Sequence, residues 1–256
     1  MKKSEALLLV LFVICAGIAI VFGLPNLIPY SDRALGDLVK ETVPRLSICI
    51  FLIVLTVVRG YAAIFKPKWG RGNLLWSIPC LLVAIVNFPF GALIGGEAVI
   101  SRWDLLWIFC LKCIAIALLE EIFFRALLLP LFMQRFANNR YRALISVLCS
   151  SVLFALLHLL NLFFGAGVGE TMLQVGYTFL LGCMLAVMML RTKNIWLCVI
   201  VHALFDFGGT IVIDLGSGPF QEISFWVLTA VAGAVCAVHI ILSLIKIISE
   251  DREDKA

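Results

Sequence analysis

Eight stretches of this chain are apolar for long enough to cross a lipid bilayer, and that pattern restricts the fold more than any other feature. A helix crosses a hydrocarbon core about 30 Å thick in roughly 17–25 residues. The runs lie near 5–23, 45–65, 74–95, 104–134, 141–164, 171–190, 194–214 and 223–248. No soluble domain of useful size remains between them, and there is no internal repeat or low-complexity tract. The expected fold is all-α: a polytopic membrane helical bundle of about eight transmembrane helices, forming one membrane-embedded domain over residues 1–256. Composition agrees, at 63% hydrophobic and 14% charged residues. Soluble domains average about 45–50% apolar and about 25% charged.

The opening MKKSEALLLVLFVICAGIAIVFG has a longer apolar core than the h-region of about 7–15 residues in a signal peptide. It therefore reads as a first membrane helix. The segment 24–44, LPNLIPYSDRALGDLVKETVP, carries prolines and mixed charges and reads as a surface loop with a short interfacial helix. The fourth run is long, so part of it is expected to extend past the hydrocarbon or along the interface. With the N-terminus inside, 14 Lys and Arg fall on the cytoplasmic side and 4 on the other. Lys112 and Arg125 lie within the fourth run, Lys112 marking its outer edge. This bias places both termini in the cytoplasm. The net charge of +4 is spread between apolar runs, so it reports topology and not nucleic-acid binding. The nine cysteines are scattered, and the one CxxC, Cys110–Cys113, reads as helix packing.

Few ionisable residues lie inside the apolar runs: Glu120, Glu121, Arg125, His158, His202, Asp206 and His239. Such groups are costly in lipid and usually face the bundle interior, paired. Glu121 and Arg125 are four apart and share a helix face, which predicts an ion pair. Adjacent residues diverge by about 100° around a helix, so Glu120 points elsewhere and stays available for chemistry. His202 and Asp206 are again four apart, on the seventh run, and His158 comes from the fifth. At 1.5 Å per residue, Glu120 lies about 12 Å from Lys112 and His202 about 12 Å from Asn194. His158 is about 9 Å from the end of its run. The depths permit the groups to meet. His239 has no ionisable neighbour at helical spacing and reads as structural or interfacial. Phe123, Phe124 and Phe163 read as core or lipid-facing.

Two chemistries fit a carboxylate, two imidazoles and a second carboxylate. Glu120 can act as general base on a water, with a histidine sharing the proton. Alternatively, two histidines and an acid can hold a divalent metal such as zinc with one open position, the candidates being Glu120, His158, His202 and Asp206. Both routes end in hydrolysis. HExxH, GxSxG and Gly-rich phosphate loops are absent from the sequence. Intramembrane acids and histidines also serve proton relays, so a non-enzymatic immunity protein or proton-coupled transporter is the alternative. A buried Glu121–Arg125 pair could equally do no more than lock helix packing.

Three motifs, in order, carry a resemblance. Glu120-Glu121-Ile122-Phe123-Phe124-Arg125 has the form EExxxR, Phe154-Ala155-Leu156-Leu157-His158 the form FxxxH, and His202-Ala203-Leu204-Phe205-Asp206 the form HxxxD. Together they resemble the CPBP family of intramembrane proteases, which includes the CAAX prenyl endopeptidases and bacteriocin-processing or immunity proteins. The likeness spans about 104–210, a catalytic-motif core within the chain. It implies peptide-bond hydrolysis in the membrane, with catalytic Glu120, Glu121, His158, His202 and Asp206 and with Arg125 as structural support. Glu120 and His158 would activate water, and His202 with Asp206 would stabilise the oxyanion or complete the site. The prenyl endopeptidases carry Asn at the last motif position. Asp206 can donate a hydrogen bond only when protonated, and is better suited to ligate a metal or fix the tautomer of His202. The implied partners are membrane lipid and a peptide or lipidated protein substrate. Compact length and short loops point to a bacterial plasma membrane.

Overall fold

The computed structural model describes residues 31–219 and 223–253, so the first expected span, 5–23, lies outside the described residues. The described chain is helical almost throughout. Helix α1 runs Arg33–Val58, α2 Arg71–Val86 and a short α3 Phe90–Ile94. Helix α4, Leu106–Glu121, continues through a π-helical stretch, Ile122–Leu128, into α5, Leu129–Arg135. Helix α6, Arg142–Leu157, tightens into a 3-10 segment, His158–Phe164. Then follow α7, Val168–Thr192, α8, Ile195–Leu215, and α9, Ile223–Glu253. A two-residue strand β1, Val99–Ile100, pairs antiparallel with β2, Gly216–Ser217. Five helical stretches among the described residues are long and apolar enough to cross a membrane: Arg33–Val58, Arg142–Phe164, Val168–Thr192, Ile195–Leu215 and Phe225–Glu250. This is a multi-pass helical membrane bundle. Large apolar side chains on its outer faces, such as Val58, Leu180 and Ile241, are more than half exposed. On a soluble protein they would form a sticky patch, whereas a bilayer solvates them.

Two stretches differ from expectation. The segment 24–44, expected as a surface loop with a short interfacial helix, is helical from Arg33 onward and continuous with the second run to Val58; residues 24–30 lie outside the described residues. Asp32 is the N-cap of this helix, accepting from the Leu35 N–H at 3.1 Å. Arg102 reaches back to the same carboxylate at 2.7 Å and to Asp104 at 2.8 Å. Its guanidinium holds both carboxyls below their ordinary range. Pro44 is buried inside α1, and Arg45 donates to the Glu41 carbonyl at 2.6 Å. Packed neighbours make such a proline tolerable. The run 74–95 is also cut, at Val86, because Pro89 disfavours helical backbone at Phe88.

The long fourth run stays helical but widens before Pro130. Proline supplies no N–H, and its ring crowds the carbonyl four residues back. The chain responds with π geometry, in which the Leu129 N–H reaches the Phe124 carbonyl, and Ser150 of α6 also donates to that carbonyl at 3.3 Å. All residues from Ile122 to Leu128 are buried. This segment packs into an apolar core with Phe154 of α6, Leu185 and Met188 of α7, and Cys198 of α8.

Helix α8 is held very close to the end of α2. Asn87 donates to the Phe205 carbonyl at 2.7 Å. A Cβ at Gly208 would lie 2.9 Å from the Asn87 carbonyl carbon and the Phe88 nitrogen, both backbone atoms that cannot swing aside. Gly208→Val is therefore expected to destabilise the protein by about 1–3 kcal/mol in thermal or denaturant melts in detergent. Gly176→Ala in α7 meets nothing within 4 Å. That change is expected to be neutral or to stabilise by up to about 1 kcal/mol in the same assay.

Candidate active site

The C-terminal end of α4 and the middle of α8 meet across the core. Glu121, with no exposed surface, stands between two cationic or proton-bearing partners. Its Oε1 lies 2.7 Å from His202 Nδ1 and 3.0 Å from Arg125 Nη1. An ionised carboxylate only accepts, so Nδ1 is the nitrogen that carries a proton here. Arg125, 1% exposed, also donates from Nη2 to the Gly182 carbonyl of α7 at 3.4 Å. Its guanidinium lies 4.7 Å from the Phe154 ring centroid and 5.7 Å from that of Phe124. Gly182 lets α6 and α7 close up: a Cβ there would stand 3.1 Å from the Phe154 ring and the Ser151 side chain.

Glu120 turns to the other side of the imidazole. Its Oε2 is 3.5 Å from His202 Nε2, and Asp206 Oδ2 is 3.7 Å from the same nitrogen. The sequence suggested Asp206 as the group that fixes the His202 tautomer. Glu121 holds that place instead, because α4 delivers its carboxylate to Nδ1 while Asp206, one turn along α8, reaches only the Nε2 side. Asp206 Oδ2 is buried and has no hydrogen-bond partner. Side-chain exposure separates the roles: 26% for Glu120 and 20% for Asp206, against none for Glu121 and 3% for His202.

His158 begins the 3-10 segment at the foot of α6. Its Nδ1 is 3.1 Å from the Phe154 carbonyl, which leaves Nε2 for other work. The Phe154 ring stands edge-on between the two histidines, with centroids 5.2 Å from His158 and 5.9 Å from His202. Thus Glu120, Glu121, Arg125, His202 and Asp206 form one contiguous cluster, and His158 joins it through Phe154. His239 lies apart, bonded to the Trp76 carbonyl at 3.0 Å and packed on the Trp76 ring.

Sequence reasoning missed a second buried ion pair between the same two helices. Lys112, which the sequence set at the outer edge of its run, is 5% exposed, with Nζ 2.7 Å from Asp214 and 3.6 Å from Glu41 of α1. Lys112 and Asp214 each lie eight residues from a site carboxylate, Glu120 and Asp206 respectively. That spacing is about two helical turns on one face. It was visible in the sequence, but only the packing of α4 on α8 reveals the pair.

Among the described residues no group of three or more His, Cys, Asp or Glu is placed to hold a metal ion.

Removing one partner from a buried ion pair strands a charge, which costs about 3–5 kcal/mol, while replacing both with apolar groups is often neutral. Arg125→Met alone is expected to be strongly destabilising in a thermal melt. Glu121→Leu combined with Arg125→Met is expected to melt closer to wild type than either single change.

Residues 102–208 match the family model described as Type II CAAX prenyl endopeptidase Rce1-like. No curated protein and no solved structure matches the chain. The matched segment contains all three motifs and the cluster around His202. The match does not favour the immunity or transport alternative. Residues 102–208, the part of the chain that holds the cluster around His202, are thus similar to the Rce1-like type II CAAX prenyl endopeptidases, in keeping with the resemblance to the CPBP proteases carried by the three motifs.

Proposed function

We propose that this protein hydrolyses a peptide bond of a membrane-associated or lipidated peptide or protein, with Glu120 and His158 activating the water. One observation carries the reading. Of two adjacent glutamates, Glu121 is sealed and committed to Arg125 and His202, whereas Glu120 keeps a partly exposed carboxylate 3.5 Å from His202 Nε2. The first has the surroundings of a structural anion, the second those of a general base that a substrate can reach.

Glu120 takes a proton from water as the water oxygen attacks the scissile carbonyl carbon. His158 Nε2 helps to hold that water and shares the proton. The carbonyl oxygen becomes an oxyanion, which His202, holding a second proton on Nε2 as an imidazolium, stabilises. Collapse breaks the C–N bond, and Glu120 returns its proton to the departing amine. Glu121 orients His202 by accepting from Nδ1, and Arg125 neutralises Glu121. The cluster also suits a water-poor interior, where fixed charges act more strongly than in solvent. We further infer one membrane-embedded domain with both termini cytoplasmic, from the 14-to-4 distribution of basic residues, and a bacterial plasma membrane, from the compact length and short loops.

Glu120→Gln keeps the shape and removes the base. Cleavage of a farnesylated CAAX peptide by the purified protein in detergent should fall by at least about 10²-fold, with unchanged abundance and melting. Full activity in that variant would overturn the hydrolytic assignment of Glu120 and restore the non-enzymatic alternative. A reporter fused after Ala256 should register the cytoplasmic side; a signal from the opposite side would overturn the topology.

A further inference from the structure

A neutral histidine accepts a proton at one ring nitrogen only while the other nitrogen carries one. At His158 the backbone makes that choice. Helix α6 ends there because the His158 N–H turns back to the Ala155 carbonyl, three residues away, as in a 3-10 turn. The Phe154 carbonyl, four residues back, is thereby released from the amide it would receive in an α-helix. The ring takes the place of that amide, with Nδ1 3.1 Å from the Phe154 oxygen. A carbonyl oxygen only accepts, so Nδ1 carries the proton and Nε2 of the neutral ring keeps a lone pair.

A 3-10 run of this length needs support. Runs beyond about three or four residues are uncommon, and His158–Phe164 is seven residues long with none of them fully buried. Asn161 supplies two ties. Its side chain donates from Nδ2 to Gln174 Oε1 of α7 at 2.7 Å. Its carbonyl accepts from the Ala166 N–H at 3.1 Å, past Gly165, whose φ of 88° ends the segment. Side chains three apart on a 3-10 helix lie one above another, so His158 and Asn161 share a face. Helix α7 is itself fixed to the site, since its Gly182 carbonyl receives Arg125.

We propose that Asn161 and Gln174 are positioning residues for His158, holding the 3-10 turn that keeps its Nδ1 on the Phe154 carbonyl and its Nε2 open to water. The proposal rests on the hydrolytic reading above. One proton of the attacking water passes to Glu120, and the other is held by the His158 Nε2 lone pair as the water oxygen bonds to the scissile carbon. No other reactant is required. With the tie cut, the segment is free to return to α geometry. The His158 N–H then reclaims the Phe154 carbonyl and the ring turns away, since a residue advances about 100° in an α-helix and about 120° in a 3-10 helix.

The test uses the full chain in detergent, with two readouts. The first is cleavage of an internally quenched farnesylated CAAX peptide. Asn161→Leu and Gln174→Leu should each lower kcat by about 10- to 10²-fold, the scale of a misplaced group, with KM within about twofold. The double variant should be no slower than the slower single, because the one tie is lost only once. The second readout is heavy-nitrogen NMR of the histidine rings at about pH 8.5, above the ordinary histidine range, with His158 assigned by its loss in His158→Gln. Wild type should show His158 protonated at Nδ1, and the leucine variants should shift the proton toward Nε2. An Nε2–H ring at His158 in wild type overturns the proposal. So does a wild-type kcat in either single variant, or a double variant whose loss is the product of the single losses. A lowered kcat with an unchanged tautomer also overturns it, since that marks a purely structural tie. If the leucine variants do not accumulate as folded protein, Asn161→Ser, too short to reach α7, takes their place under the same two readouts. Glu120→Gln separates the two readings. With that variant inactive, any of these contrary results overturns the positioning proposal alone. If Glu120→Gln cleaves normally, or wild type leaves the peptide whole, the hydrolytic reading falls and the proposal with it.

Discussion

A single carboxylate, that of Glu121, holds the interior of this bundle together. Its Oε1 meets both the Arg125 guanidinium and the His202 imidazole, and none of the three groups has appreciable contact with the surroundings. At such depth an unpaired charge costs several kcal/mol. Each group is therefore tolerable only while the others are in place. Because Glu121 lies on α4, His202 on α8 and the Arg125 acceptor Gly182 on α7, the network permits one arrangement of these helices. Apolar packing alone fixes such a register weakly in lipid, where the hydrophobic effect does not drive one helix against another.

The widened helix before Pro130 serves the same network. A π segment changes the angular step between residues and so redirects the side chains that follow it. Arg125 lies inside that segment, between the rings of Phe124 and Phe154. Phe154 also stands between His158 and His202. One aromatic side chain thus shields a guanidinium, separates two imidazoles and fills the core beside them. Such a ring contributes apolar area together with a negative face for the cation.

Electrostatics divides along α4 and α8 into two levels. At one, Lys112 joins Asp214 and Glu41, and Arg45 also reaches Glu41, so that two cations face two carboxylates. Two turns away, Glu120, Glu121 and Asp206 surround His202 with Arg125 as the fixed cation. The first level ties α1, α4 and α8 together. The second holds reactive groups in a less balanced state, with Asp206 Oδ2 buried and unbonded. Proteins commonly concentrate such unsatisfied groups where chemistry takes place.

The sequence alone determined the membrane class, the helical fold and the small set of titratable residues that had to meet. Lipid forbids unpaired backbone and scattered charge, so apolar length and misplaced ionisable residues are legible without coordinates. The four-residue spacing of Glu121 and Arg125 was legible for the same reason, being a property of one helix. Tertiary structure decided what depends on two helices at once. It made Asp32 the N-cap of a long helix α1 and Glu41 part of that helix, where a loop with a short interfacial helix had been expected. It paired Lys112 with Asp214 and Glu41. It gave the Nδ1 of His202 to Glu121 and left Asp206 beside Nε2. Those outcomes follow from how closely α4, α7 and α8 approach and how each is rotated about its axis. Periodicity along one chain segment carries no information on either quantity.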